Sequence, residues 1–82
     1  MVQYRIKQKI DEGFLEKNTR IRNALYSNGI KTYDALFNKA KQERYNLYYI
    51  RNLGIDSIKR INEHVKEKFR KKLPNYEKNL HD

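Results

Sequence analysis

From Ile21 onward the apolar residues recur at intervals of three and four. Ile21, Ala24 and Leu25 make one stripe, and Tyr33, Leu36 and Phe37 make a second. Leu47 and Ile50 continue the series, and Ile58, Ile61, Val65 and Phe69 form the longest run. That period matches one face of an α-helix, whereas a half-buried strand needs strict alternation, which nowhere persists beyond a few residues. The pattern predicts a single all-α domain. Start and stop signals agree with it. Asn18-Thr19, Thr32 and Asp56-Ser57 each offer a side-chain oxygen to the unpaired amides of a first helical turn. Asn28-Gly29 suits the left-handed conformation at a helix C terminus. Pro74 restricts the residue before it, which ends the last helix near Lys72.

Val2, Ile6 and Ile10 share a helical face and predict a short N-terminal helix that Gly13 ends. A frayed terminus is the alternative, because an isolated helix of this length is marginal. The stretch 74–82 is polar and is expected to form a mobile tail, with Tyr76 and Leu80 available to pack back. The organisation is thus a lead over 1–13, a helical domain over 14–73 and a tail over 74–82.

Two segments of this domain repeat one plan. NGIKTYDAL at 28–36 and NLGIDSIKRI at 52–61 each join a turn with Asn and Gly to an Ile, a hydroxyl cap and an apolar run. Ile30 and Ile55, Thr32 and Ser57, Tyr33 and Ile58, and Leu36 and Ile61 are all in step at one spacing. One copy alone cannot cover its apolar face, but a packed pair can. The expected architecture is a compact bundle of four to five short helices built from two helix-hairpin-helix units.

Composition narrows what such a bundle does. A chain of 82 residues makes one small domain with little room for an enclosed active site. Cysteine is absent, which removes disulfides and thiolate metal sites. No apolar run approaches the ~20 residues of a membrane span, and the N-terminal residues lack a secretory pattern, so a cytoplasmic protein is expected. The formal net charge is +9, and residues 59–72 carry +5 of it. Charge of that size is self-repelling unless a polyanion is the usual neighbour. Asparagine and isoleucine are abundant, a bias that an AT-rich genome would produce.

A glycine turn between two helices lets a nucleic-acid backbone come close, and the amides opening the second helix carry partial positive charge toward it. Such contacts position a duplex without reading much sequence. At this point the residues become recognisable. NTRIRNALYSNGIKTYDALF followed by IRNLGIDSIKRINEHV resembles the C-terminal domain of the bacterial RNA polymerase alpha subunit, over roughly residues 15–70. The resemblance is carried by Arg20, Asn23 and Leu25, by Gly29 to Leu36, and by Arg51 to Ser57. It implies a helical domain that binds the minor groove of AT-rich duplex DNA and also touches sigma factor and transcription regulators. It further implies that Arg20 enters the groove, that Asn23 and Ala24 lie beside it, and that Asn52, Gly54 and Ser57 meet phosphate and sugar. Arg51 and Lys59 are candidates for additional phosphate contacts. Independently of the resemblance, Arg20 and Asn23 share a helical face, while Ile21 and Leu25 point elsewhere. An arginine aimed into a narrow groove gains from its enhanced negative potential.

Ile55-Asp56 stands where the family usually has two basic residues. Asp56 is expected to serve as N-cap of the last helix, worth about 1 kcal/mol, while weakening phosphate attraction. Ile55 is expected to be partly buried, the alternative being an exposed contact for a protein. The assembly domain and long linker that accompany this domain in the alpha subunit are missing from these residues, so a free-standing copy is expected. Tyr45, Tyr48 and Tyr49 are expected to be packing groups rather than base-stacking ones. The run Lys66 to Lys72 reads as a solvated helix end, with non-specific phosphate contact as its alternative. His64 and His81 lack the neighbours of a metal site, and no constellation suggests catalysis or a cofactor. The sequence thus points to a non-enzymatic, transcription-associated DNA-binding protein, monomeric and nucleoid-associated. The rival is a module of the same fold that binds polymerase, sigma factor or a regulator with little DNA affinity.

Overall fold

A computed structural model describes residues 7–42 and 46–76. The protein is a small all-α bundle. Its elements are α1 (Glu12–Lys17), α2 (Thr19–Ser27), α3 (Tyr33–Ala40), a 3-10 turn (Leu47–Tyr49) and α4 (Ile55–Phe69). Among the described residues there is no strand, only an isolated antiparallel bridge between Lys9 and Thr32. No helix among them is long and apolar enough to cross a membrane. Leu25, Tyr33, Leu36, Ile58, Ile61 and Val65, all drawn from the predicted stripes, are essentially inaccessible to solvent.

The lead differs from expectation. Val2 and Ile6 lie outside the described residues, but Gly13 ends nothing: it is the second residue of α1. Ile10 is buried in extended chain, its amide donating to the Lys31 carbonyl at 3.0 Å. A glycine costs a helix about 1 kcal/mol relative to alanine, and burial of Leu15 with partial burial of Phe14 offsets that. The bend between α1 and α2 is made by Asn18. Its side chain does not cap α2 as expected; the amide nitrogen reaches back to the Phe14 carbonyl at 2.8 Å.

The next two signals act as read. Gly29 takes a φ of 74°, closing α2 with Ile30 N bonded to Leu25 O at 2.9 Å. Thr32 caps α3 by accepting from the Ala35 amide at 3.2 Å. The second hairpin departs from the first. The left-handed residue is Asn52, with a φ of 70°, whereas Gly54 is extended at −81°. Asparagine enters that region more easily than most side chains. Gly54 occupies the N-cap position of α4 without a side-chain cap bond, and Asp56 is already the second helical residue, so its expected capping role is absent. A carboxylate in a first turn still favours the helix dipole. The two copies therefore agree in burial at Tyr33 and Ile58 and at Leu36 and Ile61, but not in where the helix begins. Ile30 is buried while Ile55 is 58% exposed, because Leu53 fills the core beside it.

α4 stops at Phe69, earlier than Pro74 suggested, where Arg70 turns left-handed with a φ of 59°. The chain beyond Arg70 is pinned to the bundle. The Leu73 amide donates to the buried Asn62 Oδ1 at 2.9 Å, Asn75 donates to the Ala40 carbonyl at 3.1 Å, and the Tyr48 hydroxyl donates to the Tyr76 carbonyl at 3.1 Å. Tyr76 thus packs back as anticipated, while Leu80 and His81 lie outside the described residues. Tyr48 is half-buried, but Tyr49 is 65% exposed and lies outside the core; Tyr45 is outside the described residues. In the basic run, Lys68 bonds Asp11 and Lys71 sits 4.7 Å from the Phe37 ring centre.

Tyr33 gathers the lead, α3 and α4. Its hydroxyl accepts from the Asp11 amide at 3.1 Å and lies 2.7 Å from His64 Nε2. Phe14 stacks on the His64 ring at 4.3 Å, and Phe69 meets the Tyr33 ring edge-on at 4.9 Å. Burial pushes the phenol up to about 12. Burial also lowers the His64 pKa; the Asp11 carboxylate, 3.5 Å away, opposes this, Lys68 adds to it and Glu67 opposes it.

Asn62→Ala leaves the Leu73 amide without its acceptor and should cost about 1–3 kcal/mol in urea unfolding; parental stability in the variant would show the bond to be dispensable. The His64 environment adds a pH dependence. Because the folded His64 pKa lies below the ordinary value, the unfolded chain binds more protons as pH falls past about 6.5. The stability from neutral His64 is therefore present above that pH and lost as pH falls through the folded pKa. The urea midpoint should drop more between pH 7.5 and pH 5 for the parent than for His64→Gln.

Candidate functional site

The exposed face of α2 is set by the same period that buries Ile21 and Leu25. Arg20 and Asn23 stand on it in the open, and Ala24, only 4% exposed, forms its floor. The chain between the 3-10 turn and α4 comes alongside. Ile50 and Leu53 are buried anchors there, and between and beyond them Arg51, Asn52, Gly54 and Ile55 are left outside. Asn46 fixes the approach, with its Oδ1 accepting from the Tyr48 amide at 3.0 Å and its Nδ2 donating to the Gln42 carbonyl at 3.2 Å.

These two segments bound one open concavity of about 800 Å³, lined by Arg20, Asn23, Ala24, Ser27, Asn52 and Gly54. Five of the residues expected to contact DNA thus share one lining. The sixth, Ser57, lies in an adjoining depression of about 330 Å³, to which Arg20 also contributes. Arg51 and Lys59 are exposed but belong to neither lining. Asp56 is exposed on the rim of the smaller depression, and Ile55 stands next to it, exposed and not partly buried as expected.

The local chemistry favours an anionic, wide ligand over a small enclosed one. The first intrahelical bond of α4 runs from Ile58 N to Gly54 O at 3.0 Å, so the amides of Ile55, Asp56 and Ser57 have no partner within the helix. A Cβ added at Gly54 would meet nothing within 4 Å, so the glycine leaves open space above its backbone. Among the described residues Arg20 has no carboxylate within ion-pair distance. Ser27 is an addition to the expected set, although its position one turn beyond Asn23 puts it on the same helical face; its hydroxyl donates to the Ala24 carbonyl at 3.0 Å. Arg60, also unforeseen, stands one turn beyond Ser57 on α4 and donates to Asn18 Oδ1 at 3.2 Å.

The arrangement offers an arginine and two asparagine side chains above an uncovered backbone turn. Those groups can both donate and accept hydrogen bonds. No family model matches this chain, and no curated protein or solved structure matches it.

Proposed function

We propose that the protein binds double-stranded, AT-rich DNA through the minor groove and serves as a transcription-associated accessory. The observation that carries this reading is the shared lining: Arg20, Asn23 and Ala24 of α2 meet Asn52 and Gly54, which are remote in sequence, around one open concavity. In this reading Arg20 enters the groove, where a narrow AT-rich tract concentrates negative potential. Asn23 and Asn52 bond base edges or sugar beside it. The free amides that open α4, with Ser57, meet a phosphate. A net charge of +9 supplies attraction without sequence dependence. The link to transcription comes from the resemblance to the polymerase alpha domain.

One observation favours the rival reading, a protein-interaction module with little DNA affinity. Ile55 is 58% exposed next to Asp56, at the place where a duplex would gain from basic residues. An apolar side chain on that rim suits a contact with polymerase, sigma factor or a regulator.

An NMR titration with AT-rich and GC-rich duplexes separates the two. Groove binding should perturb residues 20–24 and 52–57, favour the AT-rich duplex, and show a salt dependence worth roughly three to five phosphates. Arg20→Ala should weaken binding by about tenfold or more, in line with about 1–3 kcal/mol for a good groove contact. If no duplex binds at low salt, or Arg20→Ala binds as well as the parent, the DNA reading fails and capture of polymerase becomes the test.

Gly54→Ala tests the backbone approach separately. With φ at −81° and no atom near the added carbon, the fold should keep its stability to within about 1 kcal/mol. The methyl group enters the concavity, so duplex affinity should fall while the thermal midpoint stays close to that of the parent.

A further inference from the structure

The smaller depression beside the concavity is a basic recess that shares Arg20 and Ser57 with the contacts already assigned and adds Lys17 and Arg60 to them. Lys17 closes α1, Arg20 lies in the first turn of α2 and Arg60 in the second turn of α4, and all three line it with Asn18, Ser57 and Asp56. Three cations from three helices thus surround one carboxylate. Each of the three is exposed, and among the described residues none stands within ion-pair distance of a carboxylate. Asp56 precedes Arg60 by one turn, a spacing at which opposite charges often pair. Arg60 turns away from it and bonds Asn18 Oδ1 at 3.2 Å. A guanidinium has five N–H donors, so this bond orients Arg60 and leaves most of its donors free. Three cations around a single carboxylate leave an excess of positive charge, which repels unless a further anion sits among them. Arg20 belongs to both linings, so the depression adjoins the concavity and one ligand could span the two.

We propose that this depression seats a backbone phosphate of the duplex whose groove Arg20 enters, with Arg60 and Lys17 as the ligands that hold it. The positive charge missing at Ile55-Asp56 is then supplied one turn further along α4 and from the end of α1. This inference rests on the groove-binding reading.

Binding of fluorescent AT-rich and GC-rich duplexes, measured by anisotropy over a series of salt concentrations, tests the assignment. Arg60→Gln and Lys17→Gln should each reduce the slope of log K against log salt by about 0.9, the value of one phosphate contact. Each should weaken both duplexes by the same factor, unlike Arg20→Ala, which should also reduce the AT preference. Arg22→Gln is the control of equal charge, since Arg22 lines a different recess beside Glu12 and Glu16; its slope should match the parent. Parental slopes in both Arg60→Gln and Lys17→Gln, alongside a defect in Arg20→Ala, would overturn the phosphate seat and leave the groove reading standing. An equal loss of slope in Arg22→Gln would overturn it too, by reducing the effect to net charge. Absence of any duplex binding by the parent would remove the groove reading and this inference together.

Discussion

A phenol hydroxyl inside a small core has to be hydrogen-bonded, since leaving it unpaired costs about 1–3 kcal/mol. The way Tyr33 meets that demand holds the bundle together. Its ring is fully buried, so its oxygen must find partners from the protein, and it takes the Asp11 amide and His64 Nε2. Its own backbone amide donates to the Gln8 carbonyl at 3.1 Å. One residue therefore fixes the lead against the start of α3 and both against α4. Asp11 is drawn to the same place and pairs with Lys68 at 3.2 Å. The polar cluster is satisfied from several directions, which a hydrophobic contact of equal area would not specify so narrowly.

This anchoring matters for the candidate site because α4 serves both. The residues that grip the lead and the segment after Phe69, namely Asn62, His64 and Lys68, occupy its middle and C-terminal turns. Its N-terminal end, with no side-chain cap, borders the concavity at Gly54 and the smaller depression at Asp56 and Ser57. Helix stability comes from the buried stripe of Ile58, Ile61 and Val65, so the N terminus is relieved of a capping duty and its amides stay open. Such an uncapped end would be a defect in a helix without this packing. Here it borders the two recesses.

Much of this arrangement is legible in the residues. The stripes locate α2, α3 and α4 because each helix buries one face and the period of three to four survives in the sequence. The same period identifies Arg20 and Asn23 as an outward pair, and it extends to Ser27 and, on α4, from Ser57 to Arg60. Other features are not local. Gly13 reads as a breaker because propensity knows nothing of Leu15 entering the core. Ile55 reads as apolar and inward, but Leu53 already holds the position, and competition between neighbours is settled only by packing. Lys17 joins Arg60 because the chain bends at Asn18, a geometry no periodicity encodes. The asparagines are the clearest case. Their abundance reads as a coding bias, yet Asn18, Asn28 and Asn46 each donate to the carbonyl four residues earlier, and Asn62 and Asn75 tie down the segment that leaves α4. The short polar amide works at the bends of Asn18, Asn28, Asn46 and Asn75, and from within α4 at Asn62.

The division of labour along α4 has a practical side. At about 1.5 Å of rise per residue, its 15 residues make a rod about 22 Å long with the open first turn at one end. The lead near Asp11 and the segment near Leu73 both attach toward the closed half of this rod. A reporter attached at Lys68, beside Asp11, would therefore sit far along α4 from its open first turn.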